Sequence, residues 1–570
     1  MCALLGALGL AVVSVYADGA ADMPNDDGVA SCALAPNVMN RLDKRLKDNV
    51  WGAYWIGVPN ENAREYGVRL FRKKFALSAA DLGGNFLVHV SADERYKLYV
   101  NGREGSDGPS RGDLLNWKFE TLDLRPYLRE GDNVLCAEVW FFGTARPVAQ
   151  MTYGECGFLI QGDTEREDVV NTNGSWRCLT NEAYSVCRAG SVRGYFAVGP
   201  NEQVDMKKFP HGWLGTDFDD SKWKNAYGQF RAALKGYPDY GFRQLTPRTI
   251  PQMEKRPCNP LVVRQLQTGS DTVNYSLKSA KEFSGIVVPK NSRTTILLDQ
   301  KELVTGYPYV CLSGGKGATV TVGYAETLFD KQPNGQLLPL GNRDKVDGKV
   351  FLGCKDRIIC DGTADFRYTP LWWRTWRYML LEVVTGDEPL RVDSVCGVTS
   401  MYPFERVSTL TADEDADIGK MLDVGWRTAR LCANETYMDC PYYEQLQYFG
   451  DTRIQTMVTM FNTRDSLMLR QALEMGRQSM VSDGLTRSRY PSSFLQIISS
   501  YSLSWSGMVY DYWMYRDDPQ EVKRLLPAVR SVLAWYEQFL RPDGSLEKIP
   551  FWFFCDWAAN FPMGTPIRQD

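Results

Sequence analysis

Asp439, Glu444 and Asp451 lie in one short stretch, MDCPYYEQLQYFGDTR (residues 438–453), with Tyr442, Tyr443, Tyr448 and Phe449 among them. The stretch follows neither the period of an amphipathic helix nor the alternation of a strand. A carboxyl pressed against aromatic rings has its charged form disfavoured by desolvation, so Glu444 is placed to hold a proton near neutral pH. Acid-catalysed cleavage of a glycosidic bond needs such a proton opposite the leaving oxygen. Asp439 and Asp451 would help keep it there and orient sugar hydroxyls, while ring faces stack on a sugar's C–H face. Structural readings compete. Asp451 suits the first turn of a helix, with Thr452 and Gln455 as a further capping box, and Asp439 suits a turn before Cys440-Pro441.

Other chemistries are poorly supplied. The chain has two histidines, His89 and His211, both in its first half. A Ser-His-Asp triad, a Cys-His pair or an H-E-x-x-H site near the acids would need a histidine from a distant domain. No glycine-rich dinucleotide or phosphate loop is present. A net charge of −4 leaves no footprint for nucleic acid or an anionic membrane surface. The 14 cysteines form no C-x-x-C, which argues against zinc ribbons and thioredoxin chemistry. Cys354 with Cys360 and Cys178 with Cys187 are candidate disulfides in an oxidising compartment, with buried thiols the equal alternative. No metal site and no cofactor are expected; calcium stays open without a motif to support it.

The elements that must position the acids follow from the rest of the chain. Residues 1–17, MCALLGALGLAVVSVYA, read as a signal peptide with cleavage after Ala17, too short to span a bilayer. Export to the periplasm or outside the cell is expected, with residues 18–45 as linker. At 570 residues and roughly 150 per domain, the chain holds about three or four domains. Residues 46–245 alternate as strands, with hairpin turns at Asn101-Gly102 and Glu130–Asn133, and a turn at Asp219-Asp220-Ser221 between Phe218 and Trp223. They read as a galactose-binding-like accessory β-sandwich. Residues 246–405 read as a second sandwich.

From about residue 408 the period becomes helical. Thr411–Glu414 forms a capping box before DIGKMLDVGWRTARLCAN, and further helices are expected from about Asp451, over 465–481, over 501–516 and over 519–541, where Pro519 suits a first turn. Asp483-Gly484 and Asp543-Gly544 follow helices at a spacing of about 60 residues, the mark of stacked helix hairpins. A closed toroid of six pairs would take about 360 residues, so residues 406–570 are expected to be part of a helical barrel, and the chain part of a longer protein.

The strings DCPYYEQLQYFGDTRIQ, YPSSFLQIISSYSLSWSGMVYDYWMYRDD and FFCDWAAN resemble the catalytic domain of glycoside hydrolase family 78, the α-L-rhamnosidases. YKLYVNG with LREGDNVL, and GATVTVGYAETLF with FRYTPLWWRTWRYMLLEV, resemble the family's preceding sandwiches. The Asp-Cys-Pro, Glu and Gly-Asp pattern is the specific part. The resemblance implies two N-terminal β-sandwiches followed by an incomplete (α/α)6 barrel, and an inverting hydrolase releasing terminal α-L-rhamnose (EC 3.2.1.40). Residue by residue, Glu444 matches the general acid; Asp439 and Asp451 match acids that grip rhamnose; Asp556-Trp557 matches an Asp-Trp pair near substrate. Tyr501 and Trp505 are candidates for an aromatic wall, with helix core as their competing role.

The general base of the family is a late glutamate, expected beyond residue 570, so this stretch alone is expected to be inactive. Tyr442 and Tyr443 occupy the place where many members carry an arginine. Two alternatives therefore stand beside rhamnose: an inverting α/α-barrel hydrolase for another sugar (trehalase-like, or for a deoxy or pentose sugar), and a non-catalytic carbohydrate-binding protein. The partner in each case is a carbohydrate.

Overall fold

The computed structural model describes residues 41–566 apart from 193, 238–242, 340 and 411–415. The expected signal peptide, nearly all of the expected linker, and the Thr411–Glu414 capping box therefore lie outside the described residues. Within them the chain runs from strand-rich to helical, as the change of period near residue 408 implies.

Two six-stranded sheets form the first sandwich. One is ordered Tyr227–Arg231, Tyr54–Gly57, Gly157–Gly162, Leu87–Asp93, Trp117–Asp123, Leu245–Pro247. The other is ordered Lys224–Asn225, Arg177–Asn181, Gly67–Leu77, Gly131–Phe141, Arg95–Val100, Arg103–Gly108. Alternate residues such as Phe71, Val90, Leu98, Leu135 and Phe158 fill the space between them. Arg95–Val100 turns into Arg103–Gly108 at Asn101 (φ 50°) and Gly102 (φ 84°), the left-handed pair that a two-residue hairpin needs. The turn between Phe218 and Trp223 also forms: Ser221 N donates to Asp219 Oδ1 at 3.0 Å, and the two rings meet edge-on at 5.7 Å.

The expected boundary at 245/246 is not a clean cut. Tyr184–Cys187 and Asn201–Asp205 leave the first sandwich, and Asn201–Asp205 pairs in parallel with Gly353–Ile359 of the next domain. This covers an edge strand that would otherwise expose unpaired backbone groups. Val204 and Met206 are accordingly buried in the second core.

Among the described residues, the second domain is built on one hydrogen-bonded sheet of 13 strands, which takes in strands between residues 184 and 205, with Asp330–Lys331 and Leu337–Leu338 as a separate two-stranded sheet. Its spine is the 22-residue strand Arg293–Gly314. The first half of that strand pairs with Val262–Thr268 and with Arg374–Val384; its second half pairs with Leu390–Thr399 and Phe366–Tyr368. The register with Arg374–Val384 slips between Asp299 and Val304, and pairing with Leu390–Thr399 begins at Gly306. Ile296 and Leu298 from one half share a core with Val310 and Leu312 from the other.

Five helices follow: α1 (Ala416–Leu431), α2 (Phe449–Asn462), α3 (Leu467–Gln478), α4 (Ser499–Tyr515) and α5 (Pro519–Glu537). The short α2–α3 and α4–α5 connections make two helix hairpins, and each is followed by a turn carrying a left-handed glycine, Gly484 or Gly544. Asp518 caps α5 by accepting from Glu521 N at 3.3 Å, with Pro519 in the first turn. Gly476 of α3 admits the indole of Trp505; a Cβ there would lie 2.1 Å from Trp505 Nε1. No helix among the described residues is long and apolar enough to cross a membrane.

One buried ion cluster joins the first sandwich to the helical part. Arg95 grips Glu435 with both terminal nitrogens, at 2.6 and 3.0 Å. Arg111 donates its backbone N–H to Glu435 Oε2 at 3.0 Å, and its guanidinium to Thr436 Oγ1 at 2.8 Å and to the Gln445 carbonyl at 3.2 Å. All three ions are buried. Burial opposes charge on every one of them, but the two arginines win at Glu435, whose carboxyl is held below its usual range. Removing one partner from such a cluster strands charge in the interior. Glu435→Gln, which keeps the shape and drops the charge, is expected to cost about 3–5 kcal/mol in the first unfolding transition followed by denaturant. A loss below about 1 kcal/mol would mean that the cluster is no clamp.

Candidate active site

Asp439 and Glu444 sit on the loop between α1 and α2, Asp451 sits in the first turn of α2, and each wall of that loop is tied down. Gln445 has φ 59°, a left-handed conformation that costs energy in a non-glycine residue. Four hydrogen bonds hold it: Trp372 Nε1 donates to its Oε1 at 2.8 Å, its Nε2 donates to the Pro441 carbonyl at 2.9 Å, its backbone N–H donates to the Cys440 carbonyl at 3.1 Å, and Arg111 donates to its carbonyl. The second domain adds Thr375 Oγ1 to the Pro441 carbonyl, and receives the Tyr442 hydroxyl on the Tyr324 carbonyl, both at 2.8 Å. From the first-domain side, Ala197 N donates to the Tyr443 carbonyl at 2.8 Å. Tyr442 and Tyr443 thus serve as anchors of the loop.

On this frame the three acids are half-buried. Asp439 closes the loop on itself: its N–H donates to the Leu446 carbonyl at 2.8 Å, and Leu446 N donates to its Oδ1 at 2.9 Å. Burial, and then the charge of Glu444, push the Asp439 carboxyl up to about 7. Burial also raises Glu444, which the hydroxyl of Tyr448, donating to Oε2 at 3.0 Å, and the positive charge of Arg489 partly offset. Asp451 is raised by burial and by Asp556, against a hydrogen bond from Tyr501. Each of the three therefore favours its protonated form more than an exposed carboxylate does.

Asp451 occupies the first turn of α2, so its helix-terminal and site roles coexist. The Thr452–Gln455 capping box does not form: Tyr448 is the N-cap residue, and Gln455 Nε2 donates to the Met438 carbonyl. Gly450 makes room for the next neighbour, since a Cβ there would lie 2.4 Å from the ring of Tyr501. The Tyr501 hydroxyl reaches Asp451 Oδ2 at 3.4 Å, and its ring stands edge-on to Tyr448 at 6.2 Å and to Phe554 at 6.0 Å. Phe554 in turn meets Trp557 at 5.2 Å. Asp556 and Trp557 are exposed beside this aromatic row, and Asp556 is near enough to Asp451 to raise its proton affinity.

Trp505 is the exception. It is 0% exposed, donates to the Leu473 carbonyl at 3.0 Å and belongs to the helical core, so it forms no wall for a ligand. Its helical spacing reported core burial. Nor are the candidate cysteine pairs bonded; Cys178, Cys187, Cys354 and Cys360 are buried thiols. His89 binds Thr121 and Asp163, and His211 binds Asp361, both away from the acids.

Arg489 has no counterpart in the sequence reading. It comes from the loop after α3, which pairs with the acid loop through Phe449 N to the Ser488 carbonyl at 3.0 Å and Tyr490 N to the Gln447 carbonyl at 3.2 Å. This short bridge sets the Arg489 guanidinium beside Tyr448, 5.2 Å from the ring centre and donating to the hydroxyl. Only the turn signal of S-D-G before it marked the segment.

Known proteins resemble this chain in sequence and fold. Residues 405–569 match the family model described as the bacterial alpha-L-rhamnosidase six-hairpin glycosidase domain. An alpha-L-rhamnosidase of Alteromonas sp. (strain LOR) is 21% identical over 550 residues, covering 91% of this chain and 53% of its own length. The chain thus spans about half the length of that curated relative. Among solved structures, the family 78 rhamnosidase of Bacillus sp. GL1 superposes with a TM-score of 0.74 at 17% identity, over 91% of this chain and 72% of the other. The Streptomyces avermitilis alpha-L-rhamnosidase, solved in complex with L-rhamnose, gives 0.60 at 18% identity, over 84% and 43%. The fold, sheet-rich domains followed by a helical one, is theirs.

A raised carboxyl has a signed consequence for stability. With Asp439 at about 7 when folded and about 3.9 when unfolded, the folded state holds the extra proton between those values. Its contribution is therefore favourable at low pH and is lost as pH rises through about 7. Asp439→Asn keeps the acceptor for Leu446 and removes the titration. The variant is expected to melt higher than the parent at pH 8 and to lose that advantage towards pH 4, as thermal melts across this range would show.

Proposed function

We propose that this chain, whose residues 405–569 match an α-L-rhamnosidase family model, carries the sugar site of an inverting glycoside hydrolase that removes terminal α-L-rhamnose from glycans or glycosides. One observation carries the reading: Glu444, half-buried with its proton affinity raised, shares one aromatic-lined loop with Asp439, and Asp451 follows in the first turn of the next helix. Glu444 gives its proton to the glycosidic oxygen as the bond from the anomeric carbon breaks, and the bonding electrons leave with that oxygen. Asp439 and Asp451 hold ring hydroxyls, and Asp556 and Trp557 border the sugar from the following loop. Inversion needs a carboxylate about 6.5–9.5 Å from the acid to activate water, a role the family resemblance gives to a later barrel loop. The two helix hairpins are read as part of an (α/α)6 barrel. The apolar run before Ala17 is read as an export signal, giving a periplasmic or extracellular protein.

Binding and turnover test this separately, and the first does not depend on the base. The chain is expected to bind L-rhamnose saturably in a calorimetric or NMR titration, to lose that binding in Asp451→Ala, and to ignore trehalose. Rhamnose binding that survives Asp451→Ala, or a preference for trehalose, would overturn the assignment. Turnover of an aryl α-L-rhamnoside is expected to fall about 10²–10⁴-fold in Glu444→Gln, with rhamnose affinity held within about threefold. Undiminished turnover would remove Glu444 from the role of acid.

A further inference from the structure

We infer that Arg489 and Tyr448 are positioning residues that fix which oxygen of Glu444 carries the transferable proton: Oε2 is held as an acceptor, so Oε1 is the oxygen that protonates the leaving group. This rests on the reading of Glu444 as the acid.

The inference follows from counting donors. A guanidinium has only N–H donors and no acceptor. Where Arg489 meets the Tyr448 hydroxyl, the arginine must donate and the phenol oxygen must accept. The single phenol proton is then free to point elsewhere, and the oxygen 3.0 Å away is Glu444 Oε2. Oε2 therefore accepts from Tyr448. A carboxylic acid has one proton, and placing it on Oε2 would set it against the phenol's own. It belongs on Oε1.

Geometry makes the arrangement durable. Tyr448 sits at the N-cap of α2, and the backbone bridge that joins residues 447–449 to 488–490 sets Arg489 directly across from it. Among the described residues, no carboxylate lies within ion-pairing distance of Arg489, and its Nε–H is buried without a hydrogen-bond partner. Its charge is therefore compensated mainly through Tyr448 and Glu444. A guanidinium without a paired acid is costly to bury, unless it has charge to stabilise elsewhere.

That charge appears during the reaction. As Oε1–H moves to the glycosidic oxygen, Glu444 becomes a carboxylate, and the Tyr448 hydrogen bond backed by Arg489 meets the new negative charge. Burial raises the proton affinity of Glu444, while this pair keeps the acid strong enough to release its proton. The two influences oppose each other at one carboxyl, and the balance sets the working pH.

The test uses variants that keep the ring or the charge. In Tyr448→Phe the donor to Oε2 is gone, so the carboxyl titration of Glu444 is expected to move to higher pH. That titration is read by carbon-13 NMR of protein labelled at glutamate Cδ, with Glu444→Gln assigning the signal. Arg489→Met is expected to move it the same way, and Arg489→Lys to recover part of the change. In turnover of an aryl α-L-rhamnoside, both Tyr448→Phe and Arg489→Met are expected to lower kcat about ten- to hundredfold with KM within about threefold, and to carry the alkaline limb of the kcat profile upward. A Glu444 titration unchanged in both variants would overturn the inference. The NMR arm needs no turnover, so it decides the point even if Glu444→Gln proves fully active and the reading of Glu444 as the acid fails.

Discussion

The buried cluster of Arg95, Glu435 and Arg111 is the interaction on which the rest of the site depends. It is not isolated: Arg248 pairs with Glu120 at 3.0 Å, and Glu120 also accepts from Ser110 N, one residue before Arg111. Three arginines and two glutamates thus occupy the boundary between the first sandwich and the helical part. Burial has driven the Arg111 guanidinium down to about 10, which is what a cation short of counter-charge shows. Its remaining donors go to Thr436 and to the Gln445 carbonyl, directly after Glu444. The first sandwich is therefore part of the site's framework, and its expected role as an accessory domain is too small.

A loop held this firmly tolerates features that would otherwise cost stability. Gln445 stays left-handed because the second domain, the first domain and the loop itself each bind it. Glu444 stays close enough to raise Asp439, and Asp451 to raise Glu444, because the backbone is held on every side. Preorganisation of this kind suits the proposed reaction, since groups placed before a ligand arrives leave little reorganisation for a charge-moving step. The same restraint explains the small residues around it. Gly450 and Gly476 each yield the space of a side chain to a ring, Tyr501 in the site and Trp505 in the core beneath it.

Local chemistry made some of this legible from sequence, and long-range pairing hid the rest. The Asn101-Gly102 turn, Pro519 in a first turn and the helical period after residue 408 are decided by neighbouring residues, so they could be read directly. Three acids among aromatic rings likewise carry their meaning within one loop. The crossing of Asn201–Asp205 to a distant edge strand and the continuous sheet of the second domain depend on partners far along the chain, which no local pattern encodes. Trp505 shows the limit of residue type as a signal: an indole suits a sugar platform and a helix core equally, and only packing separates the two. Arg489 shows the converse, because a two-residue bridge turns an ordinary loop arginine into a neighbour of the acid.

The most direct measurement is a crystal structure of the chain with L-rhamnose bound. The account predicts the sugar between Asp439 and Asp451, its O1 directed at Glu444 Oε1, while Oε2 remains with Tyr448. Rhamnose seated in another cleft, or bound here with O1 turned away from Glu444, would contradict it.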